Sequence, residues 1–294
     1  ISRYVNMVIV KLNKKDVIMD KIVEMRDSGK YNFLFAIIGP EQPIADGFTD
    51  SLEDLNIPCI APTQKYAQIE TNKLFCRNLL KSIENKRHTR ISPDYTHATT
   101  INEVNDFSIK HSNNVVIKKT GLCGGKGVYV SDDHFSSNDE YQNICQHLLD
   151  NSVEFILEEK LIGNEFSLMT FCDGNGHYLH MPPIRDFKRA FNNDDGPNTG
   201  GMGCLIMENN TLPYLDDNDI QISCEINEYV AKELQESLGV NKNNIGYRGV
   251  LYGSFMKTTD GKIKVIEYNC RFGDPEVIIA LHLLKNDFFD LCKD

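Results

Sequence analysis

Apolar and polar positions along the chain switch between two periods, and the switches predict its elements. Residues 5–10 and 33–38 are short, almost continuously apolar runs, as buried parallel strands are. Between them Val17, Ile18, Ile22 and Met25 recur at helical spacing, from about Lys14 to a stop at Gly29. A short helix over 50–55 and a strand over 58–60 continue the alternation, which predicts an α/β unit with a parallel sheet. Thr71 is placed to cap a helix carrying Leu74, Phe75 and Leu79. Residues 115–130 read as strand, glycine loop, strand. Asn138 is a cap for a helix to about Leu149, and 153–159 is a strand. Residues 165–173 and 177–181 predict a hairpin around Asp173-Gly174. Residues 185–204 keep no period. They read as a long loop, functional rather than disordered because apolar anchors, glycines and paired charges are mixed in it. A helix over 216–238 and a strand over 249–257 follow. The chain then turns at Asp260-Gly261 into a further strand, and a helix covers 276–284.

Composition narrows the class. The 294 residues carry 41% hydrophobic and 25% charged positions, ordinary for a globular enzyme and enough for one large domain or two modest ones. The net charge of −11 argues against binding to nucleic acid or an anionic membrane. Lys118, Lys119 and Lys126 nevertheless cluster, as do Arg185, Lys188 and Arg189, which suits a small anionic ligand. The nine cysteines form no Cys-x-x-Cys pair and no zinc or disulfide spacing, so a reducing, cytoplasmic setting is expected. No apolar run approaches the ~20 residues of a membrane span.

The strongest candidate chemistry lies at 265–276, Val-Ile-Glu-Tyr-Asn-Cys-Arg-Phe-Gly-Asp-Pro-Glu. In a strand, Glu267, Asn269 and Arg271 share one face and Ile266, Tyr268, Cys270 and Phe272 the other. Two hard oxygen donors side by side suit Mg²⁺, which takes few protein ligands and shares phosphate oxygens with a nucleotide. The Arg271 guanidinium can fork onto a carboxylate or phosphate. A solvated strand face with a surface ion pair is the alternative. In the loop Gly-Leu-Cys-Gly-Gly-Lys-Gly at 121–127, glycines let backbone N–H groups close on phosphate and Lys126 adds charge, with Lys118 at the preceding strand end. It is not a Walker A loop, because no Ser or Thr follows the lysine and no helix follows the loop. A glycine hairpin without a ligand reads equally well from the loop alone. Gly39-Pro40-Glu41 follows a parallel strand, where α/β units bind ligands, or it is a plain turn. His177 and His180 lack a third ligand and read as ordinary polar positions.

Several stretches together resemble the glycinamide ribonucleotide synthetase (phosphoribosylamine–glycine ligase) family of the ATP-grasp superfamily. They are Gly39-Pro40-Glu41-x-Pro43, Gly121-Leu-x-x-Gly-Lys126-Gly-Val, Glu158-Glu159, Asp186-x-Lys188-Arg189, the Gly-Pro-Asn-Thr-Gly-Gly-Met-Gly run at 196–203, and Glu267-x-Asn269-x-Arg271-Phe-Gly-Asp-Pro-Glu276. The last two runs are the most specific, and the order holds over nearly the whole chain.

The resemblance implies an α/β fold: a truncated Rossmann-like N-terminal domain at 1–66, then an ATP-grasp domain at 67–294. A lid subdomain is expected at about 115–184, with the nucleotide between two α+β subdomains. It implies an ATP-dependent ligation in purine biosynthesis, in which glycine is phosphorylated and the amine of 5-phosphoribosylamine attacks the glycyl phosphate. The implied ATP residues are Lys73, Lys118, Lys126, Glu158, Glu159, Lys160, Leu161, Glu165, Lys188 and Asn198. Residues 158–161 would be the adenine-reading hinge and Glu165 would bind ribose. The implied metal ligands for Mg²⁺ or Mn²⁺ are Glu267 and Asn269. Arg271 and Lys126 would act in catalysis. Pro40, Glu41, Asp186, Arg189, Thr199, Gly200, Gly201, Arg271 and Asp274 would shape the substrate side. The implied partners are the two small substrates, with no nucleic acid and no membrane, and fusion to or association with other purine-pathway enzymes is allowed.

The chain departs from the family pattern at several points. It opens after a first strand and glycine-rich loop, ends before a C-terminal domain, has a short 146–154 segment, and carries Thr120 and Phe187 where the pattern has Asp and His. Two other readings therefore stand beside the first: an ATP-grasp ligase with a different amine acceptor, and a catalytically silent nucleotide-binding scaffold. Retention of Glu267, Asn269, Lys118 and Lys126 together speaks against the second, since such groups are costly to bury without a ligand.

Overall fold

A computed structural model describes residues 7–124, 127–192 and 195–293. The first part is an α/β unit of α1 (Lys15–Asp27), β1 (Ala36–Ile37), α2 (Glu41–Ala45), α3 (Phe48–Asp54) and β2 (Cys59–Ile60). β1 and β2 pair in parallel, as the alternation predicted. Of the strand expected at 5–10, residues 5 and 6 lie outside the described residues and the rest is not a strand. Met7 to Val10 lie outside any strand and are exposed, Ile9 to 84%. An apolar run becomes a strand only where a neighbour takes its backbone groups, and no described strand pairs with it. The 33–38 strand is likewise only two residues long, and Met19 and Ile22, rather than the exposed Val17, face the small core of Leu52, Ile57 and Cys59.

The chain continues through α4 (Gln68–Thr71) and α5 (Lys73–Arg87). Asn72, not Thr71, caps α5: its Oδ1 accepts the Phe75 N–H at 2.9 Å. Then come β3 (Tyr95–His97), α6 (Ile101–Lys110), β4 (Val115–Lys119), β5 (Val128–Val130), α7 (Asn138–Asp150) and β6 (Phe155–Glu159). The four strands form an antiparallel sheet in the order β3-β6-β4-β5. α6 and α7 open with capping boxes, Thr100 with Glu103 and Ser137 (not Asn138) with Glu140. Val115 and Ile117 of β4 and Phe155 and Leu157 of β6 pack with Val104, Tyr141 and Leu148 of these helices. Strand alternation then turns Val116, Lys118, Ile156 and Glu158 to the other face.

The rest holds β7 (Gly163–Asp173), β8 (Tyr178–His180), β9 (Arg185–Phe191), β10 (Asp195–Leu205), α8 (Asp217–Leu238), β11 (Arg248–Thr258), β12 (Ile263–Asn269), α9 (Glu276–Leu283) and α10 (Phe288–Lys293). A second antiparallel sheet runs β12-β11-β7-β8, with β7 and β8 forming the hairpin expected around Asp173-Gly174. The expected loop at 185–204 is instead the hairpin β9–β10, with two register shifts. Its glycines lower strand propensity and the shifts break the two-residue period, which is why no strand was legible there.

The long α8 lies across the second sheet and is pinned by one buried amide. Asn227 donates to Leu168 O at 3.1 Å and to Thr170 Oγ1 at 2.9 Å, and accepts from Tyr268 Oη at 2.8 Å. Gly253 allows this approach, since a Cβ there would fall 2.6 Å from Asn227 Oδ1. The N-terminal unit shares the same core: Ile44, Ala61 and Tyr66 pack with Leu80, Leu168, Val230 and Val265. Lys65 reinforces the join by donating to the carbonyls of Leu238, Gly239 and Val240 at the end of α8. All nine cysteines are free thiols. Among the described residues no helix is long and apolar enough to cross a membrane.

Candidate active site

The outward faces of β4 and β6 bring Lys118 and Glu158 together beneath α5. Both are buried, at 5% and 3% exposure, and so is Arg77, at 2%. Arg77 forks onto Glu158, with Nε to Oε1 at 2.6 Å and Nη2 to Oε2 at 2.9 Å. Lys118 Nζ lies 2.9 Å from Glu158 Oε2. The two cations hold the Glu158 carboxyl down at about 2 against the opposing effect of burial. The Glu158 carboxylate thus belongs to this ion cluster, and only the backbone of residues 158–161 is left for the expected hinge.

The cluster reaches the second sheet through a bulge. Ser254 pairs with Glu267 and the next residue, Phe255, with Val265, so Ile266 is the extra residue of β12. Arg77 donates to both Val265 O (3.0 Å) and Ile266 O, and Lys118 Nζ to Ile266 O at 3.2 Å. The bulge also corrects the expected faces. Ile263, Val265, Tyr268 and Cys270 enter the main core, whereas Ile266 does not, and Phe272 packs against a separate cluster. Glu267 and Asn269 keep a common face away from that core, half-buried, one residue past the carbonyl that Lys118 touches.

On that face β9 supplies Lys188, 3.7 Å from Asp186. Burial would lower the Lys188 pKa, but the carboxylates of Asp186, Glu165, Glu267 and Glu276 outweigh it and raise it. Asp186 is raised, first by desolvation, with Lys188 opposing and Glu276 and Glu165 adding to it. Glu276, which the motif contained but the reading left without a role, accepts from Tyr252 Oη at 2.6 Å. Gly273 makes room, since a Cβ there would lie 2.5 Å from the Tyr252 ring.

Arg271 closes the other end. Its Nε is 3.0 Å from Glu41 Oε2 and 3.4 Å from Glu70 Oε1, without the alignment of a hydrogen bond to either. Its Nη1 donates to Phe272 O at 3.1 Å. Glu70 is buried, and its Oε2 accepts the Cys270 N–H at 2.8 Å. Desolvation raises the Glu70 pKa, with Arg271 opposing. Pro40 and Glu41 open α2 at this junction, so the loop after β1 does meet the end of β12. The hairpin borders it too: a Cβ on Gly201 (φ +137) would lie 2.7 Å from Pro275 Cδ, next to the exposed Asp274.

The remaining predicted residues fall as follows. Lys73 Nζ donates to Gly121 O of the glycine loop at 3.2 Å. Lys126 lies outside the described residues. Of residues 159–161, the N–H groups of Glu159 and Lys160 are taken by Asp94 O (2.9 Å) and Asn114 O (3.0 Å), and the Lys160 ammonium by Ser131 O and Asp132. The Leu161 N–H has no backbone partner among the described residues. Glu165 is exposed. Arg189 is engaged with Gly196 O and Asp133, tying the hairpin to the loop after β5. Thr199 Oγ1 donates to Lys188 O at 2.9 Å and accepts from Gly201 N–H at 3.1 Å; its neighbour Asn198 lies opposite Arg189, and Gly200 follows it. His180 bonds Thr170 and approaches Glu228, and His177 pairs with Asp173, both ordinary polar roles. Among the described residues no three His, Cys, Asp or Glu side chains are gathered to hold a metal by themselves.

Comparison with known proteins agrees with this architecture. Residues 71–277 match the family model "Phosphoribosylglycinamide synthetase, ATP-grasp (A) domain", and residues 4–70 match "Phosphoribosylglycinamide synthetase, N domain". Phosphoribosylamine–glycine ligase of Methanococcus vannielii is 39% identical over 284 residues, 95% of this chain and 61% of that protein. The same enzyme of Methanocaldococcus jannaschii is 37% identical over 286 residues, again 95% and 61%. The chain thus spans about three-fifths of these relatives' length. The crystal structure of phosphoribosylamine–glycine ligase from Thermotoga maritima superposes with a TM-score of 0.69 at 26% identity, covering 88% of this chain and 60% of that one. The ADP complex of an N5-carboxyaminoimidazole ribonucleotide synthetase shares the fold at a TM-score of 0.63 and 14% identity, over 90% of this chain and 59% of that one. With two of its models matched in tandem, one over residues 71–277, the chain belongs to the phosphoribosylglycinamide synthetase family and carries its ATP-grasp domain.

Proposed function

We propose that the protein ligates glycine to 5-phosphoribosylamine at the expense of ATP, giving glycinamide ribonucleotide, ADP and phosphate. The observation that carries this reading is the meeting of Lys118 with β12: a buried cation on one sheet reaches the backbone of the other, one residue before Glu267. A nucleotide between the sheets has its phosphates beside that ammonium. Lys118 donates to Ile266 O and pairs with Glu158 at 2.9 Å, so an ammonium with three N–H donors keeps capacity for an anion.

Glu267 and Asn269 fit Mg²⁺ or Mn²⁺. Both are hard oxygen donors on one strand face, and too few to satisfy the ion without phosphate oxygens. When bound there, the ion supplies charge neutralisation on the transferring phosphoryl group. Lys118 and Lys126 orient the phosphates, and Lys73 steadies the glycine loop through Gly121 O. Leu161 N–H and the neighbouring carbonyls read adenine, and Glu165 holds ribose.

A glycine carboxylate oxygen attacks the γ-phosphorus and ADP leaves. The amine of phosphoribosylamine then attacks the acyl carbon, phosphate departs, and the amine's proton passes to phosphate or solvent. Arg271, bracketed by Glu41 and Glu70, is held where it can grip the glycine carboxylate or the transferring phosphoryl group. The hairpin turns Lys188 and Asn198 to the nucleotide and walls the acceptor side with Asp186, Arg189 and Thr199, with Asp274 at its edge. Phosphate release from MgATP tests this. Release that requires both glycine and phosphoribosylamine is expected. Release with a different amine, or ATP binding without turnover, would contradict it.

A further inference from the structure

We propose that Arg77, a residue outside the family motifs quoted above, is a positioning residue that sets the nucleotide-gripping ammonium of Lys118 and the metal strand β12 in register. The proposal rests on the reading of Lys118 as a phosphate ligand. One guanidinium spans three elements. It leaves α5, forks onto Glu158 of β6, and donates to two successive carbonyls of the β12 bulge. Successive strand carbonyls normally point opposite ways, so this double contact exists only because Ile266 is bulged.

Charge counting explains the arrangement. Without Arg77, Lys118 and Glu158 would neutralise each other and the ammonium would be held by its carboxylate. With Arg77 occupying both Glu158 oxygens, the buried group of three carries one net positive charge, and it is Lys118 that can turn a proton outward. A buried net charge is stabilised only by a counter-charge: Glu267, which raises the Arg77 pKa, supplies part of it, and a nucleotide phosphate would supply more. Arg77 itself has four of its five N–H donors committed to protein, so it acts through Lys118 and β12 and not by touching ATP. Lysine cannot replace it, because an ammonium does not fork across a carboxylate and two carbonyls.

The test measures MgATP dissociation constants by calorimetry and melting temperatures on the natural chain. Arg77→Lys is expected to weaken MgATP binding roughly tenfold or more. Arg77→Met leaves a buried carboxylate short of its partner and lowers the melting temperature. Arg77→Met/Glu158→Gln removes the unpaired carboxylate and recovers most of that temperature, while MgATP affinity stays low, because Lys118 keeps its charge but loses the fork that sets it in register with β12. In a Lys118→Met background, Arg77→Lys is expected to change affinity by less than about twofold. Affinity that returns together with the melting temperature, or an Arg77→Lys effect undiminished in the Lys118→Met background, would overturn the proposal. Wild-type protein that binds MgATP but ligates nothing would refute the proposed reaction and leave this inference standing. Wild-type protein that binds no MgATP would refute both.

Discussion

The Nε of Arg271 lies 3.0 Å from the Oε2 of Glu41, joining the turn after β12 to the loop after β1. Neither partner is local to the other in sequence, and the contact places a carboxylate of the N-terminal unit against the guanidinium assigned to catalysis. Glu41→Gln is expected to raise the KM of glycine or phosphoribosylamine about tenfold, since Arg271 loses an orienting charge. MgATP affinity is expected to stay within about twofold. Stability is expected to change by less than ~1 kcal/mol, because a part-exposed ion pair is worth little. Initial rates with each substrate varied in turn check this, and a KM change confined to ATP would contradict it.

Glu267→Gln keeps the size and loses the charge of a metal ligand. Turnover is expected to fall roughly a hundredfold or more, and the Mg²⁺ concentration for half-activation to rise. The melting temperature is expected to hold, because the side chain is half-buried and off the main core. Magnesium titrations of the rate decide the matter, and wild-type dependence in the variant would remove the metal assignment.

Acid should find the Arg77–Glu158–Lys118 cluster. The folded-state pKa of Glu158 is depressed from 4.5 to about 2. Its contribution to stability is therefore complete above pH 4.5 and is lost as pH falls from there toward 2. Urea unfolding at steps from pH 7 to 3 is expected to show wild type and Glu158→Gln converging as the pH drops through that window. A stability gap between them that ignores pH would contradict the ion-cluster account.

Gly201 has φ +137 and no room for a Cβ, with Pro275 Cδ 2.7 Å from where one would lie. Gly201→Ala is expected to strain the backbone and push the hairpin off the turn bearing Asp274. The cost is about 1–3 kcal/mol, with kcat for ligation reduced and MgATP affinity retained. Thermal melts and binding isotherms on the same variant separate the two effects.

These residues also show how far sequence alone carries. The strands that carry Lys118 and Glu267 were legible, because their β-branched and aromatic residues are written locally. Arg77 was not, because it lies on a helix and its partners are a distant strand and two backbone carbonyls. No periodicity reports such partners. The β12 bulge was illegible for a related reason: register belongs to a pair of strands, and the break beside Ser254 changes the face of Ile266 without marking its own sequence. The β9–β10 hairpin was misread as a loop because its glycines allow close contact, as at Gly201, while lowering the propensity by which strands are recognised. Glu41 and Arg271 were each identified from their own motifs, and only the fold shows that they touch.

The oxygen balance of the proposed ligation offers the most direct measurement. If a glycyl phosphate forms, the departing phosphate carries one oxygen from the glycine carboxylate. With glycine labelled by ¹⁸O in its carboxyl group, MgATP and phosphoribosylamine, mass spectrometry of the released phosphate is expected to find one ¹⁸O per turnover. Unlabelled phosphate would mean that water, not glycine, takes the phosphoryl group, and would contradict the account.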